Sequence, residues 1–99
     1  MKYKFINAQY LKYMYNCATP SKKKINLLKK GDYALVFVQD RYGEELFWVR
    51  IIYKLRSKFI GRVVNHLRYL RYPRYNSIVK FTWQKIYDII KCDKKISVN

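Results

Sequence analysis

The apolar positions of this chain change period along its length. At the start, Tyr3 and Phe5 alternate as in a strand, whereas Ile6, Tyr10, Met14 and Cys17 recur at helical spacing. This predicts a short strand followed by a helix over residues 1–18. Thr19-Pro20-Ser21 then punctuates the chain: Pro20 disfavours helix at Thr19, and the Ser21 hydroxyl can accept a hydrogen bond from a free amide at a helix start. Lys22 to Lys30 reads as one short helix with Ile25 and Leu28 inward, stopped by Gly31 as a left-handed cap.

From Asp32 onward the period becomes that of strands. Tyr33 to Val38 is a β-rich apolar run, and Asp40 to Glu44 is a turn. Along Phe47, Val49, Ile51, Tyr53 and Leu55 every second residue is apolar, so this face is expected in the core, with Arg50 and Lys54 pointing away. Leu55 to Lys58 is a tight turn into a strand along which Phe59, Gly61, Val63 and Asn65 share a face. Gly61 in mid-strand marks a bulge or a close backbone approach. Val79, Phe81 and Trp83 alternate in a further strand, and Ile86 to Ile90 is a helical turn or a closing strand. Short strands joined by tight turns in so small a chain predict a mainly β, curved sheet closed into a small barrel with a short helix. Three parts follow: an N-terminal extension (1–18), the barrel (19–90) and a polar, fraying tail (91–99).

Ninety-nine residues allow one core. Apolar content of 51% argues for a folded domain rather than a disordered one. Charge changes the picture most: 22 Lys and Arg face six Asp and Glu, for a net charge of +16. Such self-repulsion opposes compactness unless an anionic partner offsets it, and it attracts phosphate polymers. An AT-rich coding sequence explains many lysines by itself, but not clustered arginines. Cys17 and Cys92 stand apart without a disulfide framework, residues 1–16 lack the apolar stretch of a signal peptide, and no run reaches the ~20 apolar residues of a membrane span. The expected setting is intracellular, cytoplasmic or nuclear, or packaged in a virion, with no membrane partner.

Several segments, in order and spacing, resemble a family of small domains of bacteria and large DNA viruses. They are Pro20-Ser21, Leu28 to Tyr33, Phe47-Trp48-Val49, Phe59 to Leu67, and Val79-Lys80-Phe81. The resemblance covers about residues 19–90 and implies a small SH3- or Tudor-like barrel. The family has no established activity, so no mechanism comes with it. This chain departs from the pattern at Lys22, Lys23, Lys24 and Arg50, where acidic residues are usual. It departs again at Arg68 to Tyr75, which replaces a short acidic or proline loop and its following Gly-Asp. These departures look more like a giant-virus member than a bacterial one. A Tudor-like methyl-lysine cage would draw on Trp48, Tyr53 and Tyr42, but a +16 surface opposes a cationic ligand.

The strongest candidate site is Leu67-Arg68-Tyr69-Leu70-Arg71-Tyr72-Pro73-Arg74-Tyr75, where Arg-Tyr pairs recur every third residue. Pro73 disfavours helix, and a polyproline-II screw of three residues per turn would line Arg68, Arg71 and Arg74 along one edge and Tyr69, Tyr72 and Tyr75 along the next. Guanidinium groups make forked hydrogen bonds to phosphate, and tyrosine rings stack on unpaired bases. Lys54, Arg56, Lys58 and Arg62 flank the turn between two strands and are expected to lie beside this loop as one basic surface. The bland alternative is that loop tyrosines cover the barrel end and hairpin tips are charged because they are solvated. Lys22 to Lys24 with Lys29-Lys30 read as a solvated helix face.

No cofactor or metal is expected, since Cys17, His66 and Cys92 lack ligand spacing. No catalysis is expected either: Asp32 reads as a turn residue, and adjacent Glu44 and Glu45 would face opposite ways. The sequence thus points to a non-enzymatic module for nucleic acid, DNA or RNA, read through phosphates. The alternative is an interaction or virion-associated module that meets an acidic protein.

Overall fold

A computed structural model describes residues 3–15 and 18–92. The elements run β1 (Lys4–Phe5), α1 (Ala8–Tyr15), α2 (Lys22–Asn26), β2 (Tyr33–Asp40), β3 (Gly43–Leu55), β4 (Lys58–Val63), β5 (Ile78–Thr82), a 3-10 turn (Trp83–Lys85) and β6 (Ile86–Ile90). The last apolar cluster is therefore a strand rather than a helical turn, and it pairs with β2 without closing the sheet. Strands β2 to β5 form an antiparallel meander. The remaining edge of β2 is shared: β6 pairs with Tyr33–Val36, and β1 pairs with Val38–Gln39. Mainly β with a few short helices, the molecule is an open, curled half-barrel of antiparallel strands.

Curvature comes from irregularities in the ladders. The β2–β6 register shifts between Leu35 and Val36, and the β3–β4 register shifts between Ile51 and Tyr53. A bulge adds one residue on one strand and turns the following side chains to the other face. This corrects the expected face of β3. Phe47, Val49 and Ile51 are buried, but Tyr53 and Leu55 are 56% and 45% exposed. Lys54, expected to point outward, instead turns inward over the Phe59 ring, 5.8 Å from its centroid. Its ammonium group reaches the backbone carbonyls of Asn26 and Leu28.

That contact bears on α2, which ends at Asn26 rather than at Lys30. Ser21 caps its start as expected, its Oγ accepting from the Lys24 amide at 3.2 Å. At the other end, Lys54 takes the Asn26 and Leu28 carbonyls and Lys91 takes that of Leu27, at 2.6 Å. These cations satisfy carbonyls that a longer helix would have bonded internally. Gly31 does adopt left-handed geometry (φ +97°), but beyond the helix, where its amide meets the Ile51 carbonyl at 2.8 Å. Two further boundaries differ from expectation. The first turn shrinks to Arg41-Tyr42 because Asp40 pairs directly with Gly43, and Trp83 leaves the strand for the 3-10 turn, its ring under the Lys22 ammonium at 5.0 Å.

The core joins Ile25 and Leu28 to the inner faces of β2 to β6, with Phe47 and Phe59 among its largest fully buried side chains. Phe5 reaches it from β1, its ring 5.7 Å from Phe81. Gly61 is a point of close approach: a Cβ there would lie 2.1 Å from Val49 Cγ1 and 2.8 Å from the Arg50 carbonyl oxygen. Asn65 does not share the buried face of Phe59, Gly61 and Val63. It is exposed, and its side-chain oxygen accepts from the Trp48 amide at 2.5 Å.

Asp32 is more than a turn residue. It is 3% exposed, and its carboxylate accepts from the Lys29 amide (2.8 Å), the Cys92 amide (2.8 Å) and the Lys91 ammonium (2.7 Å). Burial works against its charged form, but the bonds from Lys91, Cys92 and Lys29 outweigh it and hold the carboxyl below its ordinary value of 3.8. Lys91 and Cys92, expected to fray with the tail, are thus latched to the start of β2. Residues 93–99 and Cys17 lie outside the described residues.

Two outcomes follow. Gly61→Ala should lower stability by about 1–3 kcal/mol in chemical denaturation, because backbone as well as side chain obstructs the added methyl. A depressed carboxyl stabilises the fold above its unfolded-state pKa and loses that contribution as pH falls towards the folded-state pKa. The stability difference between the wild-type chain and Asp32→Asn should therefore hold at neutral pH and shrink as pH drops below about 4.

Candidate functional site

Between Val63 and Ile78 the chain makes a long connection that contains neither helix nor strand, and this connection carries the Arg-Tyr run. Because β4 runs antiparallel to β3, the segment leaving Val63 continues beside the first half of β3. The Val64 amide donates to the Trp48 carbonyl at 3.0 Å, and farther on the loop meets Glu45. At its base the Asn76 amide donates to the Val63 carbonyl (2.8 Å), and the Val63 amide donates to that of Ser77 (3.0 Å).

Glu45 organises the loop. One of its carboxylate oxygens accepts from the Arg68 amide at 2.5 Å; the other accepts from the amides of Tyr69 (2.8 Å) and Leu70 (3.1 Å). Three successive N–H groups converging on one anion form a nest, a backbone arrangement suited to negative charge. Leu70 and Pro73 are buried beneath the loop. Anchored at the nest and at these two apolar residues, the run is not a regular polyproline screw, and the Tyr72–Pro73 bond is cis. Its arginines and tyrosines therefore do not form two parallel edges.

They distribute over two hollows instead. The larger, of about 1120 Å³, lies between the loop and the β2–β3 turn, with Lys4, Arg41 and Arg71 as its cations and Tyr3, Tyr42, Tyr69 and Tyr72 as its rings. Its one acidic lining residue, Asp40, accepts from the turn amides of Tyr42 (2.7 Å) and Gly43 (3.2 Å). Tyr3 is half-buried, its hydroxyl pKa pushed up by burial, and forms a neutral wall. Tyr42 and Tyr69 stand out into solvent at 80% and 74% exposure.

The smaller hollow, of about 380 Å³, is lined by His66, Tyr75, Arg71 and Arg74 among others. There the His66 and Tyr75 rings stack at 4.2 Å and 18°. Arg74 Nη2 donates to the Tyr72 hydroxyl at 3.2 Å, with its guanidinium over the Tyr72 ring at 5.1 Å.

The arginines of the loop take part in no ion pair among the described residues, where the ion pair is Lys91 with Asp32. Arg68, Arg71 and Arg74 are all exposed.

The second expected basic set does not join this site. Arg56 and Lys58 sit at the β3–β4 turn, and the loop begins at the far end of β4. Six residues of strand separate them, about 20 Å. Lys54 is engaged with the end of α2, as described above. Arg62 alone of this set stands near the loop, its Nη1 donating to the Asn76 carbonyl at 2.9 Å. Lys4, Arg41 and Tyr42 replace them as the loop's neighbours. The rings considered for a methyl-lysine cage do not converge, since Tyr42 and Tyr53 lie at opposite ends of β3. Among the described residues no group of three His, Cys, Asp or Glu side chains could hold a metal ion. No described helix is long and apolar enough to cross a membrane.

Comparison with known protein families, curated proteins and solved structures finds no match. The family resemblance therefore rests on the quoted motifs.

If Glu45 shapes the loop, Glu45→Ala should accelerate hydrogen exchange at the Arg68, Tyr69 and Leu70 amides while the β2–β3 amides keep their protection. The loss in global stability should stay near about 1 kcal/mol, as two of the three bonds are solvent-exposed.

Proposed function

We propose that this chain is a non-enzymatic nucleic-acid-binding module, an SH3- or Tudor-like barrel that grips phosphates with little sequence preference. The observation that carries the reading is the convergence of Arg71, Arg41 and Lys4 with exposed tyrosines across the larger hollow, with Arg68 and Arg74 on the same loop. Exposed arginines that enter no ion pair among the described residues impose self-repulsion on the domain, and a polyanion relieves it. The finer barrel class is supported by strand β6, which returns through a 3-10 turn to pair with the first strand of the meander.

Nothing in this reading requires chemistry at the ligand. The carboxylates near the loop, Glu45 and Asp40, are both committed to backbone amides, and neither is paired with a basic group that would make it a general acid or base. The site's work is attraction and grip. Guanidinium groups suit this because their planar fork matches two phosphate oxygens at once.

The deciding measurement is a titration against DNA and RNA over a range of salt concentrations. Five phosphate contacts, from Lys4, Arg41, Arg68, Arg71 and Arg74, should give a slope of log affinity against log salt between about −3.5 and −4.5. Replacing Arg68, Arg71 and Arg74 together by glutamate should abolish binding. Arg56→Glu with Lys58→Glu, at the distant turn, should weaken it only a few-fold. Absence of binding at low salt would refute the reading, and a captured partner that survives nuclease would assign the site to an acidic protein.

A further inference from the structure

Resting on that reading, we propose that the ligand is a single strand, whose unpaired bases stack on Tyr42, Tyr69 and Tyr75 while its phosphates follow the arginines between them.

Arg71 lines both hollows, so the two are neighbours on one track that passes over the Arg-Tyr loop. Along this track the phenol rings are not packed away as barrel covering. Tyr42 is 80% exposed, Tyr69 74% and Tyr75 50%. Each of the outer two is backed on one side. The Arg41 guanidinium lies 5.5 Å from the Tyr42 ring centroid, and the His66 imidazole stacks against Tyr75. A ring backed in this way holds its orientation and can offer its remaining face to a flat ligand. Arg71 stands between the two hollows and Arg74 at the rim of the smaller, which alternates flat faces with forked cations along the path.

A duplex does not use such a surface. Its base faces are already stacked on one another, so a tyrosine ring meets base edges, sugar and phosphate but no free π face. Proteins that read duplex bases insert a projecting helix or ribbon into the major groove. Here the cationic surface is recessed between a turn and a loop, and the rings face into or beside the recess. A splayed strand supplies what this geometry lacks: π faces for the rings and a backbone that can turn from one hollow into the next. Rings alternating with cations along a groove are the general means of holding single strands without regard to sequence.

Fluorescence anisotropy with a labelled oligothymidylate and with a duplex of matched charge tests the proposal on the full chain. The single strand should bind about ten-fold or more tightly than the duplex. Tyr42→Ala, Tyr69→Ala and Tyr75→Ala combined should lower single-strand affinity by at least about ten-fold. The salt slope should stay unchanged, because no phosphate contact is removed. The corresponding triple phenylalanine variant, which keeps the rings, should bind as the wild-type chain does, and its behaviour separates stacking from any effect on folding. Equal affinity for both forms, or alanine variants that bind normally, would overturn the single-strand assignment and leave phosphate binding standing. A wild-type chain that binds neither form would overturn both.

Discussion

Asp32 and Glu45 each gather backbone N–H groups from distant parts of the chain, and the two ends of the curled sheet depend on them. Asp32 joins the segment after α2 to the segment after β6; Glu45 folds the Arg-Tyr loop against the start of β3. Asp40 does the same locally for the β2–β3 turn, and Asp88 Oδ1 accepts from the adjacent Ile89 amide. With six carboxylates against 22 basic side chains, the use of carboxylates as backbone ligands has an electrostatic result. Asp32, Asp40 and Glu45 fix the chain's path, while among the described residues no arginine is held in an ion pair. A surface salt bridge would have contributed little to stability, whereas a carboxylate that satisfies several amides also dictates shape.

Much of the architecture was legible from periodicity. The β2 run, the buried face of β3 through Ile51, the Ser21 cap and the close approach at Gly61 all follow from local chemistry that the sequence displays. The same reasoning failed where a non-local contact overrode the pattern. Beyond the bulge at Ile51–Tyr53 the alternation continues in the sequence while the faces exchange, so Tyr53 and Lys54 were assigned to the wrong sides. Helix α2 ends earlier than its local sequence suggests because the lysines that take its carbonyls come from 28 and 64 residues away.

The site was legible in its residues but not in its surroundings. A repeat of Arg-Tyr pairs beside a proline announced the loop, and the loop does carry exposed arginines and rings. Its shape was hidden, because Glu45 lies 23 residues or more before the amides it binds and resembles any strand glutamate in the sequence. The choice of neighbouring hairpin was hidden for a topological reason. A closed barrel would bring the β3–β4 turn beside the loop, but an antiparallel strand delivers the loop to the opposite end, where Lys4, Arg41 and Tyr42 wait. Which cations join a loop is decided by strand direction, which composition does not encode.

The shared edge of β2 ties the two extremes of the described fold to a single ladder. β1 and β6 are separated by some eighty residues, yet they lie end to end along one strand. Until both have docked, this edge of β2 keeps backbone donors and acceptors without ladder partners, so completing the sheet requires contacts that span nearly the whole described chain. β6 covers the Tyr33–Val36 half of that edge and β1 the Val38–Gln39 half, so the end of the sheet that borders the basic groove is sheltered by the N-terminal strand.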